Sequence, residues 1–157
     1  MDWQAGIRIE TGDLDALDVR TLIGAHHAET RGMAPPGSSH SLDIDALRQP
    51  RISLWVLRVE EALAGCAALL ELDGAHAEIK SMRTAAEFRR RGVARRLLQH
   101  LIGEARSRGY ARLSLDTGSG EYFAAARALY RNAGFVDCGP FANYREDPYK
   151  VFMTLEL

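Results

Sequence analysis

Between Ala75 and Asp116 the chain reads strand, arginine-rich turn, helix, strand, and this order restricts its architecture more than any other feature. Ala75–Thr84 is a strand entered through Asp73-Gly74, a pair favoured in hairpin turns. Val93, Ala94, Leu97, Leu98, Leu101, Ile102 and Ala105 recur at spacings of three and four. That spacing predicts a helix with one buried face, ending at Gly109. Arg112–Asp116 is the next strand. A crossover through a helix joins parallel strands, whereas the flanking hairpins require antiparallel ones. The sheet must be mixed.

The other elements fit around this core. Ile7–Glu10 reads as a first strand and roughly Leu14–Ala28 as an amphipathic helix, with Asp13 as N-cap and Leu14, Leu17, Leu22 and Ala25 as its apolar stripe. His26-His27 ends that helix, where a cation complements the dipole. Pro35-Pro36-Gly37-Ser38-Ser39, within Gly32–Ser41, cannot continue a helix and forms a shaped loop. A short helix follows over Asp43–Arg48, and then strands Ile52–Val59 and Leu63–Leu72, joined near Glu60-Glu61-Ala62. Beyond Asp116 come a helix over Tyr122–Ala133, closed by Gly134, and strands Phe135–Phe141 and Val151–Leu157. With no linker or internal repeat, 157 residues predict one domain over 1–157. Its class is α/β (α+β): a mixed, mostly antiparallel sheet with helices on both faces.

Charge narrows the partners. Six arginines cluster at 83, 89, 90, 91, 95 and 96, yet the whole chain carries a formal net charge of −1. That balance argues against a nucleic-acid binder and makes the cluster a local feature. Met1-Asp2-Trp3-Gln4-Ala5-Gly6 lacks a basic segment before an apolar run, and no stretch approaches the apolar length that spans a bilayer. Cys66 and Cys138 read as buried free thiols, so a cytoplasmic location is expected, with no membrane partner. The histidines at 26, 27, 40, 76 and 100 show no metal-ligand spacing, and His100 falls on the polar face of its helix, so no metal is expected.

Arg89-Arg90-Arg91-Gly92-Val93-Ala94 opens the central helix. A helix start has N–H groups without intrahelical partners and carries partial positive charge, so it binds phosphate. Gly92 lets backbone approach an anion, Ala94 avoids blocking it, and three guanidinium groups add charge. Arg-x-x-Gly-x-Ala in this setting resembles the pyrophosphate-binding motif of the GNAT superfamily of acetyl-CoA-dependent N-acetyltransferases. The resemblance extends over nearly the whole chain. Leu63–Leu69, Ala77–Thr84 and Ala128-Leu129-Tyr130-Arg131-Asn132-Ala133-Gly134-Phe135 look like family segments. The ending Gly139–Pro148 and Phe152-Met153-Thr154, with Glu78–Thr84, is similar to the YsnE-like branch of bacterial GNAT proteins.

This resemblance implies acetyl-CoA as cosubstrate, with its pantetheine arm on the backbone of Met82, Arg83 and Thr84. Its pyrophosphate would meet the amides of Arg90, Arg91, Gly92, Val93, Ala94 and Arg95, with Arg89 and Arg90 adding side-chain charge. Tyr130 falls where the family places the acid that protonates the departing thiolate; otherwise it is a core aromatic. Glu78, eleven residues before Arg89, matches a family general base; the alternatives are a strand carboxylate pairing with Lys80 or Arg83, or a water as base. Ser38 and His40, in a Pro-Pro-x-Ser-x-His-x-Leu run, are candidates for substrate contact or members of a solvated loop. Phe123 stands where many members have a cofactor-contacting asparagine. The function implied is transfer of acetyl to a primary amine, on a small molecule or a protein, by direct attack in a ternary complex. The alternative is a catalytically silent acyl-CoA-binding module, against which Tyr130 argues. A homodimer is the family's frequent state.

Overall fold

The computed structural model describes residues 6–157, so Met1–Ala5, read above for a signal, lie outside the described residues. Seven strands form one sheet: β1 (Ile7–Thr11), β2 (Ile52–Val59), β3 (Ala62–Asp73), β4 (His76–Thr84), β5 (Arg112–Gly118), β6 (Val136–Cys138) and β7 (Lys150–Glu156). Their spatial order is β1-β2-β3-β4-β5-β7-β6, with β4/β5 parallel and every other described pair antiparallel. The mixed sheet follows from the crossover, as the sequence requires.

Three helices cover it: α1 (Leu17–Gly32), α2 (Val93–Ser107) and α3 (Ala124–Asn132). Alternation along the strands sends side chains to both faces. Trp55, Leu57, Ala67 and Leu69 join Val93, Leu97, Leu98, Leu101 and Ala105 of α2 and Tyr130 of α3 in the larger core. Leu54, Val56, Cys66 and Ala68 turn the other way and meet Val19 and Ile23 of α1 with Leu47. Each fully buried Leu of α2 contributes about 1.5–3 kcal/mol, more than helix propensity could supply.

Several boundaries differ from the sequence reading, each for a local reason. Asp13 caps a turn before α1: its Oδ1 accepts from the Asp15 amide at 2.9 Å and its carbonyl from Ala16 at 3.1 Å. The helix then starts at Leu17 and runs to Gly32, where Thr30 Oγ1 bonds back to the His26 carbonyl at 2.9 Å. His26 and His27 therefore lie within α1, not at its end. The expected helix at 43–48 is one 3₁₀ turn, Ala46–Arg48, set up by Asp43 Oδ1 accepting from Ala46 N at 2.8 Å. Residues 121–123 form another 3₁₀ turn ahead of α3, and β6 is only three residues long. Cys138 on β6 is partly exposed, unlike Cys66. His100 is no polar-face residue: its ring packs edge-on against Trp55 at 5.2 Å with Nε2 buried. No described helix is long and apolar enough to cross a membrane.

Gly65 sets how closely α2 approaches. A Cβ there would lie 2.8 Å from the Arg83 carbonyl oxygen, 2.8 Å from Val93 Cγ1 and 3.1 Å from Leu97 Cδ1. Gly65→Ala is expected to cost about 1–3 kcal/mol through overpacking, measured by urea unfolding.

Candidate active site

β4 and β5 pair only over His76–Glu78 and Arg112–Ser114, then part. From there β5 continues against β7, and β4 keeps β3 on one side only. One irregularity sharpens the divergence: Ala67 of β3 alone faces both Ser81 and Met82, and Ser81 takes φ 55°, a bulge that bends β4. A cavity of about 510 Å³ occupies the opening. Its walls are Ile79–Met82 and Leu115–Gly118 from the two strands, His26 and Thr30 of α1, His40 of the following loop, and Tyr130 of α3. Because α1 and α3 pack on opposite faces, the cavity reaches through the sheet.

The turn into α2 is an array of amides. Arg90 and Gly92 both adopt left-handed φ, 64° and 80°. Among the described residues, the amides of Arg90, Arg91 and Gly92 donate to no backbone carbonyl. Val93, Ala94 and Arg95 open the helix, whose first backward bond is Arg96 N to the Gly92 carbonyl at 3.1 Å. A Cβ on Gly92 would meet nothing within 4 Å, so the space before these amides is open. None of Arg89–Arg95 lines the 510 Å³ cavity itself. Met82 borders it, whereas Arg83 sends its guanidinium to Glu29 of α1 at 2.7 Å, and Glu29 also accepts from the Tyr122 hydroxyl.

Tyr130 is 6% exposed, and its hydroxyl has no hydrogen-bond partner among the described residues. Burial first, then the Asp116 charge, pushes its pKa up, keeping it protonated. Glu78, by contrast, does not line the cavity. It is 1% exposed, and its Oε2 accepts from the Tyr144 hydroxyl at 2.7 Å and from Lys80 Nζ at 3.3 Å. Burial raises its pKa, against the pull of Lys80 and Tyr144. This is the strand carboxylate paired with Lys80 that the sequence offered as one of the two readings, set behind the cavity wall. Ser38 is also buried away from the cavity, with its amide on the Pro35 carbonyl at 3.1 Å, so its neighbours Ser39, His40 and Ser41 form the lining instead. Phe123 lies across Gly118, and Arg127 of α3 donates to the carbonyls of Gly118 and Gly120 at 2.7 and 2.8 Å. Arg127 thus holds this loop beside Phe123.

The structure adds residues that the sequence reading missed. Asp116 Oδ2 meets His40 Nδ1 at 2.9 Å and Lys150 Nζ at 3.2 Å. Lys80 Nζ donates to the His40 carbonyl at 2.7 Å and the Tyr144 hydroxyl at 3.0 Å. Lys80 and Tyr144 carried an advance signal, since both lie in segments shared with the YsnE-like branch. Two further cavity-wall groups, His26 Nδ1 and Ser81 Oγ, are buried without a partner. Burial, then the Arg83 charge, lowers His26 to about 4, so it is neutral. Among the described residues no group of three or more His, Cys, Asp and Glu side chains is placed to hold a metal ion.

A sheet parted at its parallel pair, with bare amides ahead of the crossover helix, is the plan of an acyl-CoA-dependent acyltransferase. Residues 20–135 match the model of the Acetyltransferase (GNAT) family. The uncharacterized N-acetyltransferase YsnE of Bacillus subtilis (strain 168) is 50% identical over 151 residues, 96% of this chain and 100% of that one. The uncharacterized N-acetyltransferase YedL of Escherichia coli (strain K12) is 45% identical, over 95% of this chain and 94% of its own. A GNAT family acetyltransferase from Elizabethkingia anophelis, solved with acetyl-CoA bound, shares the fold at TM-score 0.74 and 20% identity, covering 98% and 99% of the two chains. The chain belongs to the GNAT family of acetyl-CoA-dependent N-acyltransferases.

Asp116 gives a test of the site's electrostatics. Burial pushes its carboxyl up, but the His40 hydrogen bond and the Lys80 and Lys150 charges outweigh this and hold it at about 2, against an ordinary 3.8. Its folded pKa is depressed, so its stabilisation is present above the unfolded pKa and is lost as pH falls through the folded one. Asp116→Asn is expected to remove about 2 kcal/mol of the stability lost between pH ~4 and ~2. Chemical denaturation of both proteins across that range checks it.

Proposed function

We propose that this enzyme moves acetyl from acetyl-CoA to a primary amine, on a small molecule or a protein, by direct attack in a ternary complex. The observation that carries this reading is the opening between β4 and β5, where groups from opposite faces of the sheet can meet. The open edge of β4 at Met82 and Thr84 receives the pantetheine arm as an added strand would. The free amides from Arg90 to Arg95 receive the pyrophosphate, with Arg89 and Arg90 adding charge. Backbone amides near Met82 polarise the thioester carbonyl. The amine enters from the α1 side, where Thr30 and His40 line the cavity.

The amine lone pair forms the new C–N bond, the C–S bond breaks, Tyr130 donates its proton to the thiolate, and the proton lost by the nitrogen as the amide forms restores the phenol. Burial keeps the phenol protonated until that charge develops beside it. A covalent acetyl-enzyme has no cysteine to form on within the lining. Cys66 is fully buried, its thiol is pushed up to about 12 by burial, and it donates to the Ser81 carbonyl. Glu78 serves this site from behind, holding Lys80 and Tyr144 in place.

Two substitutions test the reading. Gly92→Val puts a β-branched residue at φ 80° and a side chain into the open space before the amides. It should weaken acetyl-CoA binding by at least roughly tenfold in calorimetry while circular dichroism shows a folded protein. Tyr130→Phe keeps the ring and removes the proton. Turnover, followed as free-thiol release, should fall about 10²–10⁴-fold with acetyl-CoA affinity little changed. Normal turnover would make Tyr130 a core aromatic only.

A further inference from the structure

His40 reaches the cavity on a loop, yet its imidazole is held like a core side chain. Nδ1 lies 2.9 Å from Asp116 Oδ2, and the ring stacks on Tyr144 with centroids 4.2 Å apart and planes at 16°. Its own carbonyl accepts from Lys80 Nζ at 2.7 Å. An ionised carboxylate only accepts hydrogen bonds, so Asp116 fixes the proton on Nδ1 and leaves the lone pair on Nε2. Nε2 has no partner among the described residues and is not one of the sealed, unpartnered atoms, so it is accessible, on a residue that lines the cavity.

Resting on the acetyl-transfer reading above, we propose that His40 Nε2 is the general base of the reaction, with Asp116 as its positioning residue. The acceptor arrives as an ammonium ion. Nε2 takes one of its protons, the freed lone pair attacks the thioester carbon, and the C–S bond breaks as Tyr130 protonates the sulfur. The imidazolium then returns its proton to solvent, and the second proton, lost by the nitrogen as the amide forms, restores the Tyr130 phenol. Asp116 and Lys150 face the Nδ1 edge of His40, and Tyr144 covers one ring face. Lys80 sits at its carbonyl with Glu78 beyond, and Asp147 is within Coulombic reach. Carboxylates and lysines therefore surround this ring together.

A loop anchor and a base predict different behaviour of His40→Asn. Asparagine can still donate to Asp116 from near the Nδ1 position, but it has no basic nitrogen. The probes are ethylamine, an ammonium ion at neutral pH, and 2,2,2-trifluoroethylamine, largely free amine there. If His40 is the base, His40→Asn lowers kcat/KM for ethylamine by about 10²-fold or more. The loss for trifluoroethylamine should stay under about tenfold, since that probe needs little deprotonation. Equal losses for both probes would make His40 an anchor and overturn the proposal. A second measurement needs no turnover: nitrogen NMR of the wild-type imidazole should show the Nδ1–H tautomer. An Nε2–H tautomer in the wild type would overturn the proposal without touching the acetyl-transfer reading. Failure of the wild type to bind acetyl-CoA in calorimetry would overturn that underlying reading instead.

Discussion

Three residues of parallel pairing, His76–Glu78 against Arg112–Ser114, govern the rest of the molecule. Had β4 and β5 stayed paired to their ends, the sheet would be a closed wall and α1 and α3 would share no cavity. Because they part, the outer edge of β4 runs through the interior with no strand beside it. Interior backbone N–H and C=O groups are costly to leave without partners. The edge is thus a standing demand for an extended, hydrogen-bonding ligand, which pantetheine, itself a chain of amides, can meet. The Ser81 bulge keeps the edge open by bending β4 away from β5.

The second organising feature is the cluster of Glu78, Lys80, Asp116 and Lys150, all with side chains at most 12% exposed. Buried ions are expensive, and pairing only partly repays their desolvation. What the cluster provides is position. Lys80 spends its three donors on Glu78, Tyr144 and the His40 carbonyl, tying β4, the segment before β7 and the loop after α1 together at the cavity. Asp116 ties the same loop to β5. A Pro- and Ser-rich loop of low intrinsic order is thereby fixed at the cavity.

Much of this was legible in the residues. The periodicity of α2, the hairpin at Asp73-Gly74 and the turn around Gly92 led to the right sheet type and the right helix start, because each is a local signal. Asp13 was misread because an Asx turn and an N-cap use the same carboxylate within one turn of each other. Glu78 and Tyr130 sit in equally suggestive motifs, yet one is sealed behind Lys80 and the other borders the cavity. Sequence spacing on a strand does not say which side a neighbour closes. The contact of His40 with Asp116 spans 76 residues and that of Glu78 with Tyr144 spans 66, so no local pattern could join them.

The sheet also works as a partition. The residues that pack against α1, Val19, Ile23, Leu47, Leu54, Val56, Cys66 and Ala68, share no member with the larger core under α2 and α3. Perturbations that share no partners combine nearly additively. Side chains on the α1 face can therefore be exchanged with little energetic echo on the face that packs α2. Away from the opening between β4 and β5, a single chain of this design can repack one face of its sheet and leave the other as it was.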